Sequence, residues 1–188
     1  ALGSADRFTR GWVAVDDVAH PERVIENVGV TTYNSAEGET PLTVLPRLIR
    51  TYPDVIVVRD LVNPETIDLL AEQIEHNRLV ISGVRAKDCA ESLLRVLAMK
   101  PTPSKFIRAV SGAVNGRLLR KLCDTCKEAY APPPQLLQQL RLPAGKIEAF
   151  YRPPQAPEEV CADCGGIGYY GRTAIFEVLV VDDAVRQA

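Results

Sequence analysis

Two Cys-x-x-Cys pairs constrain this chain more than any other feature: Cys123-Asp-Thr-Cys126 and Cys161-Ala-Asp-Cys164, with 34 residues between them. A two-residue spacer lets both thiolates of a pair face one tetrahedral ion, and two such pairs close a four-sulfur site with no open position for catalysis. The spacing predicts a structural Zn2+ held by Cys123, Cys126, Cys161 and Cys164. An iron–sulfur cluster or two redox dithiols would draw on the same residues. The fifth cysteine, Cys89, falls inside an apolar helical pattern and reads as a small buried hydrophobe.

The stretch between the pairs is unlike the rest. Half of the 14 prolines fall between Ala131 and Val160, namely Pro132, Pro133, Pro134, Pro143, Pro153, Pro154 and Pro157. This reads as an insertion or linker with too little apolar surface to order itself, stapled back by the metal. Gly165, Gly166, Gly168 and Gly171 follow at once, as a tight knuckle of chain needs residues free to take positive φ. Around the cysteines, Asp124, Glu128, Glu158, Glu159 and Asp163 oppose Lys127, Arg141, Lys146, Arg152 and Arg172. With a net charge of −2 overall, that balance argues against direct nucleic-acid binding. No stretch approaches a membrane span, and Ala1 to Arg10 lacks the apolar core of a secretory signal, so a soluble intracellular protein is expected.

Before the linker, strand and helix patterns alternate. Trp12 to Val15 is a β-branched run ending in Asp16-Asp17, and Asp54 to Val58 is a continuous apolar run ending in Arg59-Asp60. Both read as buried parallel strands with charge at their C-terminal ends. Asn63 and Pro64 open a helix to about His76, and Leu79 to Val84 returns as a strand. Asp88 and Glu91 make a capping-box signature for the next helix, and a further helix is expected from Ser104 to Leu122. The order argues for an α/β sheet with flanking helices.

The segment from Cys161 through Gly171-Arg-Thr-Ala-Ile-Phe-Glu177 to Asp182-Asp183 resembles the C-terminal signature of the type II secretion and type IV pilus assembly ATPases. In that family a cysteine pair precedes T-G-Y-x-G-R-x-G-I-x-E and a hydrophobic run ending in D-D or D-E. Gly116 to Cys126 is similar to its Q-R-L-x-R-x-L-C-x-x-C stretch, and Leu45 to Val58 to the approach to its Walker B strand. The resemblance implies a RecA-like, mostly parallel sheet with flanking helices plus a small four-cysteine zinc module. It divides the chain into a partial RecA-like domain over 1–122, a zinc module with the Pro-rich insertion over 123–170, and a return strand with the start of a helical region over 171–188. It also implies an ATP-driven or scaffolding role in (pseudo)pilus assembly. The expected partners are copies of itself in a ring and inner-membrane secretion or pilus proteins, at the cytoplasmic face of the inner membrane.

The polar motifs depart from the family pattern. No G-x-x-x-x-G-K-[ST] occurs, so Mg-ATP is expected to bind only if a phosphate loop lies upstream. By family spacing that loop would fall just before residue 1, and the end at Ala188 likewise suggests trimming. V-G-E-I-R-D becomes Val58-Arg59-Asp60-Leu61-Val62-Asn63, which makes Asp60 the candidate catalytic carboxylate, one methylene shorter than Glu. Arg78 and Arg85 occupy both histidine places of the family's G-H-L-V-x-S-T-L-H-T-N-D box, and Asp16-Asp17 keep the carboxylates of its acidic box. Asp16, Asp17, Arg78 and Arg85 are thus the candidate nucleotide-binding residues. His20 and His76 read as surface residues, and Arg117 and Arg172 as ion-pair or neighbour-contact candidates. The ATP site is expected to be degenerate and the chain inactive alone.

Overall fold

The computed structural model describes residues 6, 8–21, 23–143, 147–155 and 159–187; Lys146, Pro157 and Glu158 lie outside these. The chain forms two compact units, one of residues 1–115 with 177–188 and one of residues 116–176.

The first unit is built on four strands, β1 (Trp12–Asp17), β2 (Gly29–Tyr33), β3 (Val55–Asp60) and β4 (Leu79–Gly83), in the order β2-β1-β3-β4. All three pairings are parallel. The central strand β3 carries Val55 and Ile56, both fully inaccessible, as parallel strands covered on both faces require. Val15, Tyr33, Ile56 and Val58 make one core with Leu45 and Leu48 of helix α1 (Leu45–Ile49) and Leu70 of helix α2 (Pro64–Glu75). Helix α2 starts where expected: the Asn63 side chain accepts from the Thr66 amide at 2.9 Å, and Pro64 occupies the first turn. Helix α3 (Cys89–Ala98) is capped by Asp88, which accepts from the Glu91 amide at 2.7 Å. The Glu91 carboxylate reaches back to the Lys87 amide, one residue before the cap.

The helix expected from Ser104 to Leu122 is instead two elements, α4 (Pro103–Ala109) and the strand β5 (Gly112–Leu122). Gly112 and Gly116 weaken a helix there, and a distant partner, β8 (Tyr169–Val180), supplies the pairing that local pattern could not reveal. A short helix α6 (Asp183–Gln187) follows, with Arg186 donating to the carbonyls of Ile107 and Val110.

Strand β3 bulges between Val58 and Asp60, where its register against β4 shifts. The Arg59 carbonyl then occupies the space that a Cβ on Gly83 would need, so only glycine fits at that position.

The second unit holds the cysteines and a two-stranded antiparallel pair, β6 (Glu128–Tyr130) with β7 (Phe150–Arg152). The Pro-rich segment is more ordered than its composition suggests, since it contains helix α5 (Pro134–Gln139) with Leu137 buried. Tyr130 and Phe150 meet edge to face at 6.1 Å between centroids. The glycine knuckle is as expected, with φ between +60° and +82° at Gly165, Gly166, Gly168 and Gly171. At Gly168 an added Cβ would also fall 2.7 Å from the Pro153 side chain.

One side chain ties the end of β1 to the turn after β2. The buried Asp17 carboxylate accepts from the Ser35 hydroxyl at 2.5 Å and from the amides of Ser35 and Ala19 at 3.1 and 3.0 Å. The Ser35 hydroxyl does most to hold its pKa far below the usual carboxylate range; burial opposes this, and His20 adds to it. A depressed folded pKa contributes stability above the unfolded value of about 3.9, and that stability is lost as pH falls through the folded value. Ser35→Ala should therefore lower the urea midpoint at pH 7, and its deficit against the parent should shrink progressively below about pH 4. Urea melts from pH 7 to pH 2 check this, and a deficit that does not change with pH would refute it.

Candidate functional site

Two sites emerge, one in each unit. In the second unit, Cys123 follows the end of β5 and Cys126 lies on the next turn, while Cys161 and Cys164 flank the first turn of the glycine knuckle. Their four sulfurs lie within 4.8 Å of one another. Cys123 and Cys161 are 3.9 Å apart at sulfur, and Cys126 and Cys164 3.6 Å. A tetrahedron with metal–sulfur bonds of about 2.3 Å has edges of about 3.8 Å, so the donor set matches a tetrahedral metal ion in number, type and spacing.

The backbone prepares the centre. The Cys123 amide donates to the Gly168 carbonyl at 3.0 Å, the Gly165 amide to the Cys161 carbonyl at 2.8 Å, and the Gly168 amide to the Cys164 sulfur at 3.3 Å. Burial opposes the Cys164 thiolate, but the Gly168 amide and further donors bring its pKa down to about 7. Burial, reinforced by the neighbouring thiols, pushes Cys126 up to about 12. Asp163 accepts from the Thr125 hydroxyl and so joins the two cysteine turns. Asp124 sits between Lys121 and Lys127 at 2.6 and 2.7 Å, which hold its pKa at about 2. Lys127 and Arg152 also lie over the rings of Tyr151 and Tyr130. Of the expected charges around the cysteines, Asp124 pairs with Lys127 and Glu128 with Arg152.

In the first unit, the C-terminal edge of the parallel sheet collects Asp16 and Asp17 from β1 and Asp60 from β3, and Asp60 pairs in register with Gly83 of β4. Open α/β sheets present ligand sites at this edge. Asp17 is engaged by the Ser35 turn. Arg59, which in sequence is only an intrusion at a glycine place, lies between the other two carboxylates. Its guanidinium is 3.9 Å from Asp16 and 3.5 Å from Asp60. No sequence pattern announces this, because it depends on the β1–β3 register and the bulge.

The remaining candidates separate. Arg85 lies two residues past the end of β4. Arg78 precedes Leu79, which pairs with Val55 at the opposite end of the sheet from Asp60. There its guanidinium donates to the Gln73 side-chain oxygen and lies 5.8 Å from the Tyr52 ring centroid. The structure does not bring Arg78 together with Asp16, Asp17 and Asp60. His20 and His76 are exposed, as are Arg117 and Arg172. Cys89 is buried, with its sulfur 3.4 Å from the carbonyls of Ala113 and Glu177 and its amide donating to the Glu177 carboxylate at 3.0 Å.

Beside β4, at the edge of the sheet, lies an apolar cavity of about 590 Å3. Leu79 and Ile81 line it on the strand side, and Phe106, Val110, Ala113 and Val114 are among the other residues around it.

The cysteine centre should bind one equivalent of divalent metal per chain. Cys164→Ala should abolish that binding and speed hydrogen exchange at the Gly168 and Cys123 amides, because metal binding and local order are coupled. Metal analysis and exchange mass spectrometry check this. A folded, reduced, metal-free chain with both amides still protected would contradict it.

Comparison with known proteins identifies the family of this chain. The family described as "Type II/IV secretion system protein" matches residues 2–188. The type IV pilus assembly ATPase PilB of Thermus thermophilus is 33% identical over 169 residues, covering 89% of this chain and 18% of that protein. Type II secretion system protein E of Dickeya dadantii is 30% identical over 188 residues, all of this chain and 36% of the relative. The chain therefore spans about a third or less of these relatives. Among solved structures, the pilus retraction motor PilT with bound ADP superposes with a TM-score of 0.54 at 16% identity, over 94% of this chain and 40% of that one. The ATPase DotB of Legionella pneumophila gives 0.55 at 14%, over 96% and 39%, so both share the fold. The match over residues 2–188, together with a relative 30% identical along the whole chain, makes this protein a member of the type II/IV secretion system protein family.

Proposed function

We propose that this chain is part of the motor region of a type II secretion or type IV pilus assembly ATPase, stapled by a structural Zn2+ and carrying a weakened nucleotide site. The observation that carries this reading is the sheet edge itself. In a chain of this family, Asp16 and Asp60 come together at the C-terminal ends of adjacent parallel strands, where such sheets present ligand sites. The reading places the protein in a homo-oligomeric ring at the cytoplasmic face of the inner membrane, acting on inner-membrane components that assemble a (pseudo)pilus. The names of its relatives, a type IV pilus assembly ATPase and a type II secretion system protein, support the pilus-assembly and secretion part of this reading.

Residues 1–188 contain no glycine-rich loop ending in Lys and Ser or Thr, so they do not themselves supply a phosphate cradle. Nucleotide binding calls for such a loop from elsewhere in the polypeptide. The open edge of β4, flanked by the apolar cavity, has the character of a place for one more strand of a parallel sheet. Zn2+ suits the cysteine centre because four thiolates at tetrahedral spacing close its coordination shell.

A second reading, a non-catalytic scaffold subunit, is favoured by one observation: Arg59 engages both carboxylates that a working site would use. The two readings separate by measurement. The 188-residue chain alone should show no Mg-ATP affinity in the micromolar range, since exposed arginines contribute only about 0–1 kcal/mol per contact. A longer polypeptide bearing a phosphate loop should bind Mg-ATP but hydrolyse it slowly. Asp60→Glu with Arg85→His should then raise the rate by about 10²-fold, because a misplacement of about 1 Å carries a cost of that order. Micromolar affinity in the short chain, or a parent rate within a few-fold of the double variant, would overturn the weakened-site reading.

A further inference from the structure

We propose that Arg59 is a built-in counter-ion that takes the position between Asp16 and Asp60 where a divalent cation would otherwise sit, so that this edge of the sheet does not hold Mg2+. The inference deepens the weakened-site reading and rests on it for the identity of the excluded ion. The geometry behind it stands alone.

Three observations carry it. First, the guanidinium touches a carboxylate on each of two adjacent strands, at 3.9 and 3.5 Å, from a side chain that is itself only 23% exposed. Second, the backbone is shaped for this reach. Arg59 lies in the bulge of β3, and its carbonyl occupies the space that a side chain on Gly83 would need, so the neighbouring strand accommodates the bulge without displacing it. Third, the two carboxylates sit at the C-terminal ends of adjacent parallel strands, where a single cation reaches both.

Charge leads to the same place. Mg2+ is bound through one or two carboxylates and several waters, and those carboxylates must be free to face it. Asp16 and Asp60 already face a cation that cannot lose its charge at any accessible pH. A divalent ion entering beside it would meet like charge within a few ångströms and would have to displace both ion pairs. Asp17 offers no substitute, because its carboxylate is committed to Ser35, Ala19 and His20. Arg59 is thus a positioning residue that holds the two carboxylates apart from any metal.

The test uses the 188-residue chain with its cysteine centre loaded with zinc, no nucleotide, and Mn2+ as the probe, followed by electron paramagnetic resonance of the free ion. The parent chain and Arg59→Lys should show no saturable Mn2+ site. Arg59→Gln, which removes the charge and keeps a polar side chain, and Arg59→Gly should each gain one site with affinity at least about tenfold tighter, because one opposing charge has been removed at close range. Adding Asp16→Asn to Arg59→Gln should remove that site again. Circular dichroism identifies which of the two variants is folded, and either one suffices for the comparison. A parent chain that binds Mn2+ as tightly as the folded variant, or a folded variant that gains no site, would overturn the proposal. Because no nucleotide is present, failure here leaves the ATP measurements untouched, and failure of those measurements leaves this result standing.

Discussion

Burial of β3 on both faces is the constraint from which the first unit follows. Val55 and Ile56 have no accessible surface, and Val15 beside them has almost none, so a charged side chain has no place along these strands. Charge is displaced to the strand ends. Because all pairings are parallel, the C-terminal ends lie together, and Asp16, Asp17, Arg59 and Asp60 collect on one edge. The candidate nucleotide edge is in that sense a by-product of the core. Among the described residues β4 pairs with β3 alone and lies next to an apolar cavity.

The second unit is held by a different kind of constraint. Its apolar content is slight: Leu137 is buried in α5, and Tyr130 meets Phe150 across a pair of three-residue strands. Such elements are marginal alone. The four cysteines draw two distant turns together, and the Gly168 amide and carbonyl connect Cys164 with Cys123 through backbone. A metal at this centre acts on order, not on chemistry, since four thiolates leave no coordination position for a substrate.

The features readable from sequence are those that depend on local chemistry. The cysteine spacing, the Asn63 and Asp88 caps, the glycine knuckle and the apolar strands all rest on interactions within a few residues. Features that depend on long-range pairing stay hidden. In Gly112 to Leu122 the two glycines weaken a helix without announcing a strand, and the pairing with β8 decides for one. Arg78 and Arg85 bracket one strand and look alike in sequence, yet register places Arg78 at the far end of the sheet, held by Gln73. Arg59 stands out in sequence as an intrusion at a glycine place, but its ion pair with Asp16 joins residues 43 positions apart across a bulge no motif encodes.

The contact between the Arg59 carbonyl and Gly83 also bears on how this sequence can change over time. The obstruction at 83 is a backbone atom, so it holds whichever side chain stands at 59. While the β3 bulge stands, every amino acid other than glycine at 83 meets the carbonyl, so that position is closed to drift however mild the replacement. A side chain at 83 would first require the bulge to flatten. The order of events is therefore one-directional: the 58–60 segment changes first, and position 83 becomes free only afterwards.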